Sequence, residues 1–88
     1  MATGIEVDVS VQAEIAKVWI DGKTVKIAGD GTGMASVPPG QHALSFAVRG
    51  AAGTTYTARI TAPASAKYTH SDTFDDAEFD QVLHWFTV

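Results

Sequence analysis

Apolar and polar residues alternate along much of this chain. Ile5, Val7, Val9 and Val11 are interleaved with Glu6, Asp8, Ser10 and Gln12, the period-2 pattern of a strand with one buried and one wet face. Ala16, Val18 and Ile20 continue it, and after Asp21-Gly22 it resumes at Val25 and Ile27. Asp-Gly between two such runs predicts a tight hairpin, because both central positions of a type I′ turn need positive φ. The register follows: Ile20 opposite Lys23, Trp19 opposite Thr24, Val18 opposite Val25, Lys17 opposite Lys26, and Ala16 opposite Ile27. Ala16, Val18, Ile20, Val25 and Ile27 then share one face, and Lys17, Trp19, Thr24 and Lys26 share the other.

Ala28 to Gly33 is too glycine-rich for regular structure and reads as a loop. Met34 to Val37 fits a short strand, ended by Pro38-Pro39-Gly40-Gln41, where Pro39 and Gly40 occupy the central positions a type II turn prefers. His42 to Arg49 places Leu44, Phe46 and Val48 on one face, and Thr54 to Ala62 does the same with Tyr56, Ala58 and Ile60. A three-residue loop, Ala51-Ala52-Gly53, pairs Val48 with Tyr56, Phe46 with Ala58 and Leu44 with Ile60, with Gly53 forming a G1 bulge.

Pro63 to Ser71 reads as a connection. In the tail, Phe79, Val82, Leu83 and Phe86 have helical spacing, yet Gln81 to Val88 is rich in strand formers. The pattern predicts a helical turn near Asp75–Phe79 and then a closing strand. The expected fold is therefore all-β: a small immunoglobulin-like sandwich of about seven strands, with one short helical turn near the C-terminus. It forms a single domain over residues 1–88, with a disordered start at 1–4 and a connection carrying an acidic segment at 63–80.

Composition narrows the function. Eighty-eight residues, 45% of them hydrophobic, make one small domain with a real core. There are no cysteines, so disulfide staples and thiolate metal sites are excluded and the redox compartment stays open. Most of the net charge of -4 comes from residues 51–88, where Asp72, Asp75, Asp76, Glu78 and Asp80 outnumber Arg59 and Lys67. Scattered bases cannot build a phosphate footprint, so no nucleic-acid partner is expected. No apolar run approaches the ~18 residues of a membrane span, and no signal peptide is visible at Met1-Ala2-Thr3-Gly4. The compartment is cytoplasmic if the chain is complete, and cell envelope or extracellular if a leader has been removed.

Two stretches resemble the small PEGA-type β-sandwich modules. Ala16-Lys17-Val18-Trp19-Ile20-Asp21-Gly22-Lys23 is similar to that family's A-x-V-x-V-D-G-K hairpin. Val37-Pro38-Pro39-Gly40-Gln41-His42-Ala43-Leu44-Ser45-Phe46 is similar to its L-P-x-G-x-H-x-L-x-V segment. The proline-glutamate-glycine tract of the family is replaced here by Gln12-Ala13-Glu14-Ile15, and the acidic aromatic tail lies outside the pattern. The resemblance implies a non-catalytic envelope-associated or interaction module and carries over no functional residues.

Candidate chemistry is sparse. His42, His70 and His84 are accompanied by no nucleophile elbow or local triad, so no enzyme is expected. His70 and Asp72, with Asp75, Asp76 and His84, offer imidazole and carboxylate ligands. Their spacing matches neither a zinc site nor a calcium loop, and a solvated acidic face is the expected reading, with no cofactor. Gly29-Asp30-Gly31-Thr32-Gly33 is followed by neither lysine nor helix, which argues against a phosphate cradle.

Trp19 stands out, placed by the hairpin register on the polar face between Lys17 and Lys26. There it is either a contact platform or covered by another strand or by Trp85 and Phe86. The tail either docks into a partner's groove or packs on its own domain. These observations predict a protein–protein interaction or assembly module using Trp19, Lys17, Lys26, Trp85 and Phe86, with homodimerisation through edge strands as one route. The rival is a carbohydrate- or ligand-binding module built on Trp19 and Tyr56, and a phage or viral structural part is compatible with either.

Overall fold

A computed structural model describes residues 4–88. The disordered start expected at 1–4 therefore falls, for its first three residues, outside the described residues. Among the described residues there are eight strands: β1 Ile5–Gln12, β2 Ile15–Ile20, β3 Lys23–Val25, β4 Thr32–Val37, β5 Gln41–Arg49, β6 Thr55–Ala62, β7 Tyr68–Thr73 and β8 Phe79–Thr87. They form two four-stranded antiparallel sheets, ordered β4-β1-β6-β7 and β3-β2-β5-β8. β2–β3 and β6–β7 are joined within a sheet, and the remaining connections cross between sheets, so both layers are stitched together along the whole chain. The all-β sandwich is as expected.

The Asp21-Gly22 hairpin forms as its sequence dictates. Both residues have positive φ, 52° and 79°, and the ladder runs Ile20–Lys23, Trp19–Thr24, Val18–Val25. It stops there. The further pairs Lys17–Lys26 and Ala16–Ile27 do not form, because β3 ends at Val25 and the chain leaves for the other sheet.

The second expected hairpin is corrected. β5 pairs with β2 and β8, and β6 pairs with β1 and β7, so the two strands lie in different sheets. Gly53 has the expected positive φ, 86°, yet it serves a sheet-to-sheet arch rather than a bulged turn. Its N–H bonds to the Phe74 carbonyl, and the Phe74 N–H bonds to the Thr54 carbonyl, at 2.9 Å each. The apolar faces of β5 and β6 meet across the core, with the Phe46 and Tyr56 rings edge-on at 6.3 Å between centroids.

Two further differences lie in the tail. The expected connection over Pro63–Ser71 contains a 3-10 turn at Ala64–Ala66 and most of β7. The helical turn near Asp75–Phe79 is instead a single hydrogen-bonded turn: Glu78 N–H donates to the Asp75 carbonyl at 3.0 Å, Ala77 N–H donates to the Asp75 carboxylate at 2.9 Å, and Glu78 has φ 55°. The closing strand forms as β8. No described helix is long and apolar enough to cross a membrane.

Val7, Val9 and Val11 from β1, Val18 and Ile20 from β2, Leu44, Phe46 and Val48 from β5, and Tyr56, Ala58 and Ile60 from β6 fill the core, each at most 4% exposed. The alternating positions of the central strands therefore supply most of the buried apolar surface that stabilises so small a domain.

Candidate functional site: an apolar outer sheet face

The inward residues of β2, β5 and β8 are consumed by the core, so their other parity forms the outer face of one sheet. Cross-strand pairing fixes the rows. Trp19, Ser45 and Leu83 form one; Lys17, Ala47 and Gln81 the next; Ile15, Arg49 and Phe79 lie at one end, and Ala43 with Trp85 at the other. The central strand β5 contributes only Ala43, Ser45 and Ala47 to the middle of this face, so it forms a low floor. Trp19 stands on one side of that floor and Leu83 and Trp85 on the other, with Trp19 and Leu83 about 10 Å apart at the backbone, two strand spacings.

This face is unusually apolar. Five large apolar residues of the described chain are strongly exposed: Ile15 56%, Met34 66%, Phe79 45%, Leu83 59% and Trp85 59%. Four of them (Ile15, Phe79, Leu83 and Trp85) lie on this one face. A solvent-facing sheet normally alternates to polar residues on its wet side, whereas here only Lys17, Arg49, Gln81 and Ser45 interrupt the apolar side chains of these rows.

The expected contact residues separate into two groups. Trp19, Lys17 and Lys26 are brought together, lining one shallow cleft beside the short strand β3. Trp19 is half-buried by its neighbours on the sheet and is not covered by Trp85, which stands beyond β5. Phe86 is corrected: it points inward, is 5% exposed and lies 5.8 Å from the His42 ring. Tyr56 is likewise corrected as a ligand platform with Trp19. It is 1% exposed and faces the interior. Ile15, Phe79 and Leu83 were not foreseen as contacts. For Phe79 and Leu83 the signal was present in the tail, where residues of both parities are apolar.

A polar seam lies where the two edge strands β7 and β8 approach each other. His70 and Asp72 from β7 and Asp80 from β8 place one ligand-type atom each within 4.8 Å of one another. His84, expected in this group, instead stacks on Tyr68 at 3.6 Å between ring centroids, and burial lowers its pKa.

The seam is internally satisfied. Tyr56 donates its hydroxyl proton to Asp80, so His70 Nε2, 3.0 Å from the Tyr56 oxygen, is the donor in that second bond. Burial, and then the Asp80 carboxylate, push the Tyr56 phenol well above its ordinary range. The other oxygen of Asp80 accepts the N–H of Gln81 at 2.9 Å, and Asp72 accepts that of Thr73 at 2.8 Å. These carboxylates thus cap edge-strand amides, and the half-buried His70 and Asp80 with exposed Asp72 form a structural hydrogen-bond network.

Among the described residues, His42 is the buried charged or polar side chain. It is 6% exposed, and it ties the Asp21-Gly22 hairpin to the Pro38–Gln41 turn through Asp21 and the Pro38 carbonyl. Asp21 also accepts the Ala43 N–H at 2.9 Å. No family model, curated protein or solved structure matches this chain.

Proposed function

We propose that this chain is a non-catalytic protein-interaction or assembly module whose contact surface is the outer face of β2, β5 and β8. One observation carries the reading: four of the five strongly exposed large apolar residues share that face. Its centre combines a small-residue floor with flanking tryptophans, and aromatic anchors in such settings dominate binding energy at protein interfaces. His70 and Asp80 both bond the Tyr56 hydroxyl, and Asp72 and Asp80 accept backbone amides, which favours a structural over a catalytic role for them. A kinship with PEGA-type, immunoglobulin-like modules is part of the proposal. It rests on the two resembling stretches of sequence alone.

The ligand-binding reading is weaker once Tyr56 is interior, and it now rests on Trp19 with Lys17 and Lys26 in their cleft. The test is affinity capture from host lysate, run in parallel with wild type and a Leu83→Lys/Trp85→Lys variant of unchanged circular dichroism. A protein retained by the wild type and lost by the variant supports the reading. Identical captured sets contradict it.

A further inference from the structure

We propose that β8 is an interface strand to which a second copy of this chain adds in antiparallel fashion, with Leu83 of one protomer opposite Trp85 of the other. The inference rests on the interaction reading above and adds the occupant and its register.

The four sheet edges differ in how they are guarded. β3 has three residues and an exposed lysine, Lys23. β4 carries Gly33, against which the Lys26 carbonyl and Ile27 are packed, and it lies beside β3. β7 is polar, and Asp72 occupies the Thr73 amide. β8 runs for nine residues, Phe79–Thr87, with no proline, glycine, lysine or arginine. Charge, brevity and irregularity are the usual protections against strand addition, and β8 has the fewest of them.

The backbone narrows where a partner can join. Val88 and Gly40 exchange both hydrogen bonds, at 2.9 and 3.0 Å, so Val88 and the alternate residues before it face β5. By alternation, Phe79, Gln81, Leu83, Trp85 and Thr87 present their N–H and C=O groups to the free side. Of these amides, that of Gln81 already donates to the Asp80 carboxylate. Beyond it Leu83, Trp85 and Thr87 remain as a continuous free ladder, with Phe79 isolated on its other side.

A two-fold axis at His84 pairs this ladder with itself. Leu83 then faces the second protomer's Trp85 in hydrogen-bonded pairs on both sides of the axis, and the crossing interface is isologous. On the outer face this gathers two leucines and two tryptophans, each 59% exposed in the single chain, into one cluster. On the inner face Val82 meets the second copy's Phe86, an apolar pair. The same side chains that make the outer face apolar are thus self-complementary in this register.

The absence of cysteine makes the register directly measurable. Directly opposed residues of a hydrogen-bonded pair sit about 5.5 Å apart at Cα, inside the range a disulfide spans. A mixture of Leu83→Cys and Trp85→Cys chains is therefore expected to oxidise mainly to the mixed disulfide, in preference to either homodimer. Wild-type protein is expected to show monomer–dimer exchange by sedimentation up to about 1 mM, where even a millimolar association registers. Leu83→Lys is expected to abolish it. A strictly monomeric wild type, or homodisulfides forming ahead of the mixed species, overturns the inference. Lysate capture through the same face is read separately, so a monomeric wild type that still captures a lysate protein identifies a different protein as the occupant.

Discussion

His42 lies between two acceptors, with Nδ1 2.5 Å from the Asp21 carboxylate and Nε2 2.7 Å from the Pro38 carbonyl. A carboxylate and a carbonyl both lack protons to give, so only the imidazolium satisfies both bonds. The bond to Asp21, followed by that to Pro38, raises the His42 pKa above 6.5. The Ala43 N–H, followed by His42, lowers that of Asp21 below 3.8.

This predicts a stability plateau with two edges. A raised histidine stabilises fully below its unfolded pKa and loses that contribution as pH rises through its folded value. A lowered aspartate stabilises above its unfolded pKa and loses it as pH falls through its folded value. Both contributions are complete between 3.8 and 6.5. Thermal melts should decline on either side, and Asp21→Asn should lower the His42 pKa followed by NMR. An unmoved His42 titration would show that the pair is not coupled.

Tyr56→Phe removes the hydroxyl shared by His70 and Asp80 while preserving the ring against Phe46 and Phe74. Leaving those groups without their partner is expected to cost about 1–3 kcal/mol, measured by urea denaturation. Phe46→Ala, at a position with 0% exposure, should cost more, about 3–5 kcal/mol.

Deleting residues from Phe79 onward should abolish cooperative folding. β8 pairs with β5 along its length and supplies Phe86 to the core. Loss of the β-sheet circular dichroism signal is the expected outcome, and a folded truncated chain would show the tail to be an appendage.

The two tryptophans should report different environments. Trp85, 59% exposed, is expected to emit at long wavelength and to be strongly quenched by acrylamide in a Trp19→Phe variant. Half-buried Trp19 should be less accessible in Trp85→Phe. Equal quenching of both would contradict the description of the outer face.

Legibility in the sequence tracked how singly the pattern could be read. The β2–β3 register was readable because Asp21-Gly22 admits one turn geometry and the parity on both sides agrees. The β5–β6 relation was not, since matching apolar parity serves strands that pair side by side and strands that face each other across a core. β7 escaped notice because its inward residues, Tyr68, His70 and Asp72, are not an apolar stripe. β8 was ambiguous between helix and strand for the opposite reason: Val82 and Phe86 point in, while Phe79, Leu83 and Trp85 point out. That two-sided apolarity, which blurred the period-2 signal, is the feature that singles out the outer face.

The position of that face as the contact surface is tested most directly by site-specific photo-cross-linking in host lysate. A photoreactive residue is placed at Leu83 or, on the outer side of the opposite sheet, at exposed Arg59. The account predicts a discrete cross-linked adduct from position 83 and none from position 59. Adducts that form from position 59 alone, or equally from both, would contradict it.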